Sequence, residues 1–345
     1  MIRSSLRFFP WWVAVPAAVS LAVAAGSVGC SSDSTASSAN DDDTSSSSGG
    51  NGSSGSEGTS SSSGGSSGTQ ATSSSGGSSG SSGTGSSSGS SLGTGGITCE
   101  RVRNLDVAPD ASTREACQAT EGGAEYRFVM PANPSGPLNL AVYLHGDGAA
   151  AHNNNGAMEV LLPWLDAHNA MMVSVRAPNT CSWWLKTDFD CPLERDASVT
   201  QPDRDLAHAN ATALDAVFKK IRAAYDIVNG PIFYYGSSGG SVFLTNSFFP
   251  KFGNVYPGAF AINCGGEVPL PGTFTWDPSD ATQRGSSKFW FTYTDQDYLL
   301  ESEQATVAHY RGLGFPLTEK VLPGGHCAFN GHGRAGEVWS EFLGE

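Results

Sequence analysis

The segment that decides the fold lies at residues 233–244 and reads Phe233-Tyr234-Tyr235-Gly236-Ser237-Ser238-Gly239-Gly240-Ser241-Val242-Phe243-Leu244. An apolar run typical of a buried strand leads into a Gly-x-Ser-x-Gly pattern, and a second run typical of a helix follows it. Small residues around a serine permit a sharp turn from strand to helix, which exposes the central hydroxyl. We therefore predict that Ser238 is a nucleophile at such a turn.

The same five-residue pattern also occurs near the N-terminus, at Ser66, Ser78 and Ser87. Residues 31–97 contain 30 Ser and 17 Gly, so composition alone produces these matches. A stretch with so few large apolar side chains cannot bury enough surface to offset its chain entropy. We expect residues 30–97 to be a disordered tether, and the strand and helix around Ser238 distinguish it from these serines.

Residues 98–345 are long enough for a single α/β domain. Strand patterns occur at residues 125–130, 138–144, 171–175, 232–235, 258–263, 288–294 and 317–322. Apolar residues at helical spacing occur at 158–169, 205–225, 239–249, 301–312 and 338–343. Strands that alternate with helices predict a mostly parallel central sheet with helices on both faces.

A serine hydroxyl attacks a carbonyl with the help of a base, and the base needs an orienting carboxylate. His326 comes directly after the last predicted strand, and this position favours it as the base. His332 lies further along in a Gly-flanked loop and is the alternative. Asp295 and Asp297 both follow the strand at 288–294, and either can supply the carboxylate.

The developing oxyanion also needs hydrogen-bond donors. The backbone N–H of Gly239 lies at the predicted helix N-terminus, where the helix dipole favours negative charge. A second donor is expected from the loop after the strand at 138–144, where the backbone N–H of Asp147 is suitably placed. The Asp147 carboxylate would then lie near the anion unless its side chain points away. His145 in the same loop is expected to be a structural hydrogen-bonding residue.

These motifs together resemble the α/β-hydrolase superfamily over the segment from Glu125 to the C-terminus. Within it, the chain is most similar to secreted polyhydroxybutyrate depolymerases and feruloyl esterases. The similarity to their oxyanion loop, Pro-Asn…Cys-Trp stretch and nucleophile turn is carried by Tyr143-Leu144-His145-Gly146, Ala177-Pro178-Asn179-Thr180-Cys181-Ser182-Trp183-Trp184-Leu185 and Gly236–Gly240. Residues 98–124 show no such resemblance.

The resemblance implies an α/β-hydrolase fold and a serine carboxylic-ester hydrolase that needs no metal and no organic cofactor. It favours Asp297 over Asp295, because this loop in the family commonly reads Gly-x-x-Asp, with Thr294 here in place of the glycine. It also implies that Trp184 and Trp183 line the acyl or polymer groove, although Trp183 fits a core position equally well.

Three functions remain open on the sequence alone. The leading one is hydrolysis of an ester or polyester, in which Ser238, His326 and Asp297 form the catalytic triad. A peptidase or amidase on the same fold is the nearest alternative. A surface protein that binds without turnover is the alternative from another class, and the presence of all three triad residues disfavours it.

Six cysteines follow Cys30, and an even number in an exported domain predicts disulfide bonds. Nearness in sequence favours two pairs and leaves a third: Cys99–Cys117, Cys181–Cys191 and Cys264–Cys327.

The N-terminus carries Arg3 and Arg7, then an apolar run over residues 8–25, and then Gly29-Cys30. This layout resembles a bacterial lipoprotein signal, in which residues 1–29 are removed and Cys30 is lipidated. Cleavage without lipidation and an uncleaved membrane anchor are the alternatives. We expect an exported lipoprotein of the outer membrane or cell surface, or a secreted protein.

The formal net charge is −14, and no basic run is present. This balance argues against binding to nucleic acid or to anionic lipid. We therefore expect a monomer whose partner is its ester or polyester substrate. Its membrane contact is expected only through a lipid on Cys30.

Overall fold

The computed structural model describes residues 96–107, 112–185 and 201–345. The predicted signal at 1–29, nearly all of the tether at 30–97, Cys30 and Cys191 lie outside these residues. The strands described are β1 Arg101–Val107, β2 Ser112–Glu121, β3 Ala124–Val129, β4 Asn139–Leu144, β5 Ala170–Val175, β6 Ile232–Ser237, β7 Gly258–Asn263, β8 Lys288–Thr294 and β9 Leu317–Leu322.

The described helices flank these strands. They are α1 Ala150–Asn153, α2 Gly156–Ala167, α3 Gln201–Ala224, α4 Gly239–Phe243, α5 Phe249–Phe252, α6 Ala281–Gly285, α7 Leu300–Gly312 and α8 Gly331–Leu343. A π-helical segment, Leu244–Phe248, joins α4 to α5, so the helix expected at 239–249 is one continuous helical run. No helix among the described residues is long and apolar enough to cross a bilayer.

The strands form one sheet in the order β1-β2-β3-β5-β4-β6-β7-β8-β9. From β5 to β9 all neighbours in the sheet are parallel, whereas β1, β2 and β3 pair in antiparallel fashion. The architecture is that of the α/β-hydrolase fold, which confirms the expected fold class. Parallel strands place their carboxyl ends, and the loops that follow them, along one edge of the sheet.

Strand β6 lies in the middle of the sheet and shows how the core is divided. Tyr234 packs in the cluster under α3, the α4–α5 run and α7, while Phe233 and Tyr235 pack under α2 and α8. Alternate side chains of a strand point to opposite faces, so one apolar run supplies both layers. Tyr234 stacks on Phe260 of the neighbouring β7 with ring centroids 4.3 Å apart. The strand before Ser238 is thus fixed on both faces.

The two N-terminal strands extend the sheet beyond the segment that resembles known hydrolases. Each residue of β1 from Arg101 to Val107 has a partner in β2. A disulfide joins Cys99 to Cys117 of β2, which confirms the first expected pairing. Most side chains of β1 are exposed or half-buried, so this segment carries no apolar run that would have marked it as a strand.

Candidate active site

Ser238 lies between the last residue of β6 and the first residue of α4. Its backbone has φ 49° and ψ −117°, a conformation that L-residues rarely adopt. Neighbouring glycines make this turn feasible, because a Cβ at Gly240 would collide with the carbonyl oxygen of Leu144. Such backbone strain is commonly found at functional sites. The turn presents the Ser238 side chain at the carboxyl edge of the sheet.

Three side chains from different loops form a continuous hydrogen-bonded chain at this edge. The Oγ of Ser238 lies 2.9 Å from the Nε2 of His326. The Nδ1 of His326 lies 2.7 and 2.9 Å from the two carboxylate oxygens of Asp297. An Nδ1–H that donates to Asp297 leaves Nε2 free to accept the serine proton. The structure therefore brings together the three predicted triad residues in the order that proton transfer needs.

The two alternatives for the acid separate clearly in the structure. The Asp297 side chain is fully buried against the imidazole, and its Oδ1 also accepts the backbone N–H of Leu299 at 2.9 Å. Asp295 is exposed and accepts the backbone N–H of Gly324 at 3.0 Å. Asp295 thus holds the loop that carries His326, whereas Asp297 contacts the ring itself.

The alternative base, His332, lies elsewhere in the packing. Its Nδ1 is 2.9 Å from the hydroxyl of Tyr235, and its ring meets the edge of Tyr143. Burial lowers the pKa of His332 and favours the neutral ring. His332 therefore packs and forms a hydrogen bond between α8 and the tyrosines of β4 and β6.

The third expected disulfide, Cys264–Cys327, is confirmed and lies directly beside His326. It joins the residue after β7 to the residue after His326, so it braces the histidine loop against the sheet. The Sγ of Cys327 is 3.6 Å from the Nε2 of His326. Within the described residues these two sulfurs and this imidazole have spacing compatible with a metal ion, but the disulfide uses both sulfurs. The expected Cys181–Cys191 pair stays a prediction, because Cys191 is outside the described residues.

The predicted oxyanion loop packs against the nucleophile turn. His145 is fully buried, its Nδ1 donates to the carbonyl of Gly146 at 2.7 Å, and its Nε2 accepts the N–H of Ala177 at 3.0 Å. Burial lowers the pKa of His145 to about 3, so the ring stays neutral and holds the loop. In the part of the chain that the structure describes, the backbone N–H groups of Asp147 and Gly239 donate to no protein acceptor. Two amide donors are thus free beside Ser238.

The Asp147 carboxylate does not turn away from these donors. One oxygen accepts the indole N–H of Trp184 at 3.2 Å, and the other would collide with a Cβ placed on Gly239. Desolvation raises the pKa of Asp147, and hydrogen bonds with Ser182 and Trp184 oppose that rise. A carboxyl group therefore lies at the rim of the predicted oxyanion hole, with an orientation fixed by Trp184.

The two adjacent tryptophans occupy different environments. Trp183 is 0 % exposed and stacks on Phe243 with ring centroids 4.9 Å apart. The ring of Trp183 therefore packs in the core, which is the alternative position that the sequence left open. Trp184 instead contacts Asp147 and lines a small cavity.

That cavity has a mixed lining. Besides Trp184, it is lined by Arg204 and His208 from α3, by Asn246 from the π-helical segment, and by Leu270 from the loop after β7.

Glu303 is a buried acid near the triad that sequence reasoning missed. It lies on α7, is fully buried, and neither carboxyl oxygen has a hydrogen-bond partner. Desolvation, together with the negative charge of Asp297, raises its pKa to about 8. One signal was present in the sequence: Glu303 shares the buried face of α7 with Thr306, Val307 and Tyr310 at helical spacing.

We expect Glu303→Gln to stabilise the protein increasingly as the pH rises. The unfolded chain releases this proton near pH 4.5, and the folded protein releases it near pH 8. The wild type therefore loses stability across that window, and the variant avoids a loss of up to about 4 kcal/mol. Urea unfolding at pH 4, 6 and 8 measures the difference in the free energy of unfolding.

Glu301→Gln is the matched control, because Glu301 lies exposed on the same helix. Its difference from the wild type should stay below about 0.5 kcal/mol at every pH. A constant difference between Glu303→Gln and the wild type would mean that Glu303 is already ionised at acidic pH in the folded protein.

Comparisons with known proteins found similarity to this chain only among solved structures. No protein-family model matches it, and no curated protein matches its sequence. Among solved structures, it is similar to acyl-protein thioesterase 2 of Zea mays at 16% identity and a TM-score of 0.47, over 64% of this chain and 97% of that one. A carboxylesterase of Bacillus cereus has 15% identity and a TM-score of 0.44, over 63% of this chain and 94% of that one. A ferulic acid esterase has 15% identity and a TM-score of 0.42, over 70% of this chain and 94% of that one.

Proposed function

We propose that this protein is an extracytoplasmic serine hydrolase of carboxylic esters, acting through an acyl-enzyme. The observation that supports the proposal is the hydrogen-bonded chain from Ser238 through His326 to Asp297. It begins at a strained turn beside two amide donors without protein acceptors, the arrangement that acyl transfer requires.

The reaction proceeds in two halves. Ser238 Oγ attacks the ester carbonyl carbon while the Nε2 of His326 takes the serine proton, and the backbone N–H groups of Gly239 and Asp147 bind the oxyanion. The C–O bond to the alcohol then breaks, and Nε2 returns the proton to the leaving oxygen. In the second half, water attacks the acyl-enzyme, His326 takes its proton, and Ser238 is released with its own proton restored.

We infer that the acyl group of the substrate binds beside Trp184, which contacts Asp147 and lines a small cavity of mixed polarity. We propose a polyester, a feruloyl ester or an acetyl ester as the natural class. The disulfides Cys99–Cys117 and Cys264–Cys327 support an oxidising compartment outside the cytoplasm. Attachment through a lipid on Cys30 and action as a monomer belong to the same proposal.

A matched pair of chromogenic substrates tests the bond class. We expect the protein to hydrolyse p-nitrophenyl butyrate at least about 1,000-fold faster than butyryl p-nitroanilide, because an amide nitrogen is a poorer leaving group. Comparable rates on both would support a peptidase or amidase instead. Hydrolysis of neither substrate, with the fold intact by circular dichroism, would support a binding protein.

A further inference from the structure

Tyr298 directly follows the triad acid and extends over the triad base. Its side chain is the most exposed large aromatic among the described residues, with 73 % of its surface accessible. Even so, the ring centroid lies 4.3 Å from that of the His326 imidazole. The phenol oxygen is 3.3 Å from the Nε2 of His326. An exposed tyrosine thus directs its hydroxyl at the nitrogen that moves protons.

Two hydroxyl groups therefore converge on one nitrogen. Ser238 Oγ is the nearer, at 2.9 Å, and the Tyr298 hydroxyl is the more distant, at 3.3 Å. A neutral imidazole whose Nδ1–H donates to Asp297 has one lone pair at Nε2, which one good hydrogen bond saturates. The Tyr298 proton is thus available to another acceptor that arrives beside Nε2.

The chemistry of the first half-reaction identifies that acceptor. When the tetrahedral intermediate collapses, the leaving oxygen must lie within hydrogen-bond distance of the protonated Nε2. The Tyr298 hydroxyl already lies next to this nitrogen, and little packing holds its exposed ring in place. Partial desolvation of the phenol and the nearby charges of Asp147 and Asp297 raise the pKa of Tyr298 against a hydrogen bond with Ser238, so the hydroxyl keeps its proton. A neutral donor therefore stands where the leaving alcohol departs.

We propose that Tyr298 is a catalytic residue on the alcohol side of the site, where its hydroxyl donates a hydrogen bond to the leaving oxygen. The bond between the carbonyl carbon and that oxygen breaks, and its electron pair stays on the oxygen. The proton comes from the Nε2 of His326, while Tyr298 donates a hydrogen bond and retains its proton. This inference rests on the proposed ester hydrolysis and adds a residue that recognises the departing alcohol.

A comparison of two butyrate esters tests the role of the hydroxyl. Ethyl butyrate and p-nitrophenyl butyrate give the same butyryl-enzyme, and kcat/KM reports only the steps up to its formation. An ethoxide leaving group needs protonation, whereas p-nitrophenolate is a stable anion. We expect Tyr298→Phe to lower the ratio of kcat/KM for the ethyl ester to that for the nitrophenyl ester by about 10- to 100-fold, the effect of one hydrogen bond to a charged group.

Two further variants separate the hydroxyl from the ring and from general damage. Tyr298→Leu removes the stacking on His326 as well, and we expect it to show the same fall in the ratio as Tyr298→Phe. Tyr225→Phe removes a hydroxyl from the residue that follows the last residue of α3, and its ratio should equal that of the wild type.

The outcomes distinguish a failure of the role inferred for Tyr298 from a failure of the proposed ester hydrolysis. If the ratio of the two kcat/KM values in Tyr298→Phe equals that of the wild type, the leaving-group role is overturned, whether or not the overall rates fall. A wild-type protein that hydrolyses neither ester rejects the proposed function itself, and the inference with it.

Discussion

Replacing Ser238 with alanine is expected to lower kcat for p-nitrophenyl butyrate by about 10⁶-fold, the loss typical of removing a triad nucleophile. The Oγ of Ser238 is the one hydroxyl 2.9 Å from the Nε2 of His326, and the acyl-enzyme cannot form without it. The free amide donors of Asp147 and Gly239 remain in the variant, so a small rate above that of water should persist.

Ser237→Ala is the matched control for that result. Ser237 is the neighbouring serine at the end of β6, and within the described residues no hydrogen bond joins it to His326. We expect the control to keep kcat within about threefold of the wild type, consistent with a loss below 1 kcal/mol. Thermal unfolding of both variants shows whether each is folded. Wild-type activity in folded Ser238→Ala would mean that another residue is the nucleophile.

Asp297→Asn is expected to lower kcat by about 10⁴-fold without unfolding the protein. The Asp297 carboxylate accepts the Nδ1–H of His326 at 2.7 Å and so fixes which ring nitrogen carries the proton. An amide of the same shape can present its NH₂ group to Nδ1, which leaves the proton on Nε2. The ring then cannot accept the proton of Ser238. The pH dependence of kcat for this variant should rise more steeply toward alkaline pH than that of the wild type.

Asp295→Asn is the control for the acid, because it changes the other carboxylate of the same loop. Asp295 is exposed and accepts only the N–H of Gly324 among the contacts that the structure describes. An asparagine oxygen accepts that N–H as well, so kcat should stay within about tenfold of the wild type. A larger loss of kcat in Asp295→Asn than in Asp297→Asn would mean that Asp295 is the triad acid.

Periodicity was sufficient to predict strands β3 to β9. The bounds predicted for β7, β8 and β9 coincide with those observed, because a parallel strand buried on both faces is a nearly unbroken apolar run in β7 and β8. Strands β1 and β2 were missed for the opposite reason. β1 is an edge strand and β2 lies next to it, and polar and charged side chains such as Arg101 and Glu115 face solvent there.

The candidate site was predictable where a motif fixes chain order. Ser238, His326 and the loop that carries the acid follow from a serine turn and the strands after it. Chain order alone left Asp295 and Asp297 both open, and only the family resemblance favoured Asp297, because the path of the backbone decides which of two carboxylates on one loop meets the imidazole. The same holds for Trp183 and Trp184, which are both buried in one core cluster, whereas it is Trp184 that contacts Asp147 and lines the cavity.

Tyr298 and Glu303 belong to no motif, and their significance depends on tertiary contacts. A tyrosine after an aspartate is ordinary in sequence. It becomes informative only when its hydroxyl is found 3.3 Å from the Nε2 of His326.

The disulfide between Cys99 and Cys117 also has a mechanical consequence. A pull on the chain before Cys99 passes through the two sulfurs directly into β2 and bypasses residues 100–116. The load therefore enters the sheet at a strand that is hydrogen-bonded to neighbours on both sides. The edge strand β1 stays outside the path of the force, so tension on this end of the chain cannot peel it away.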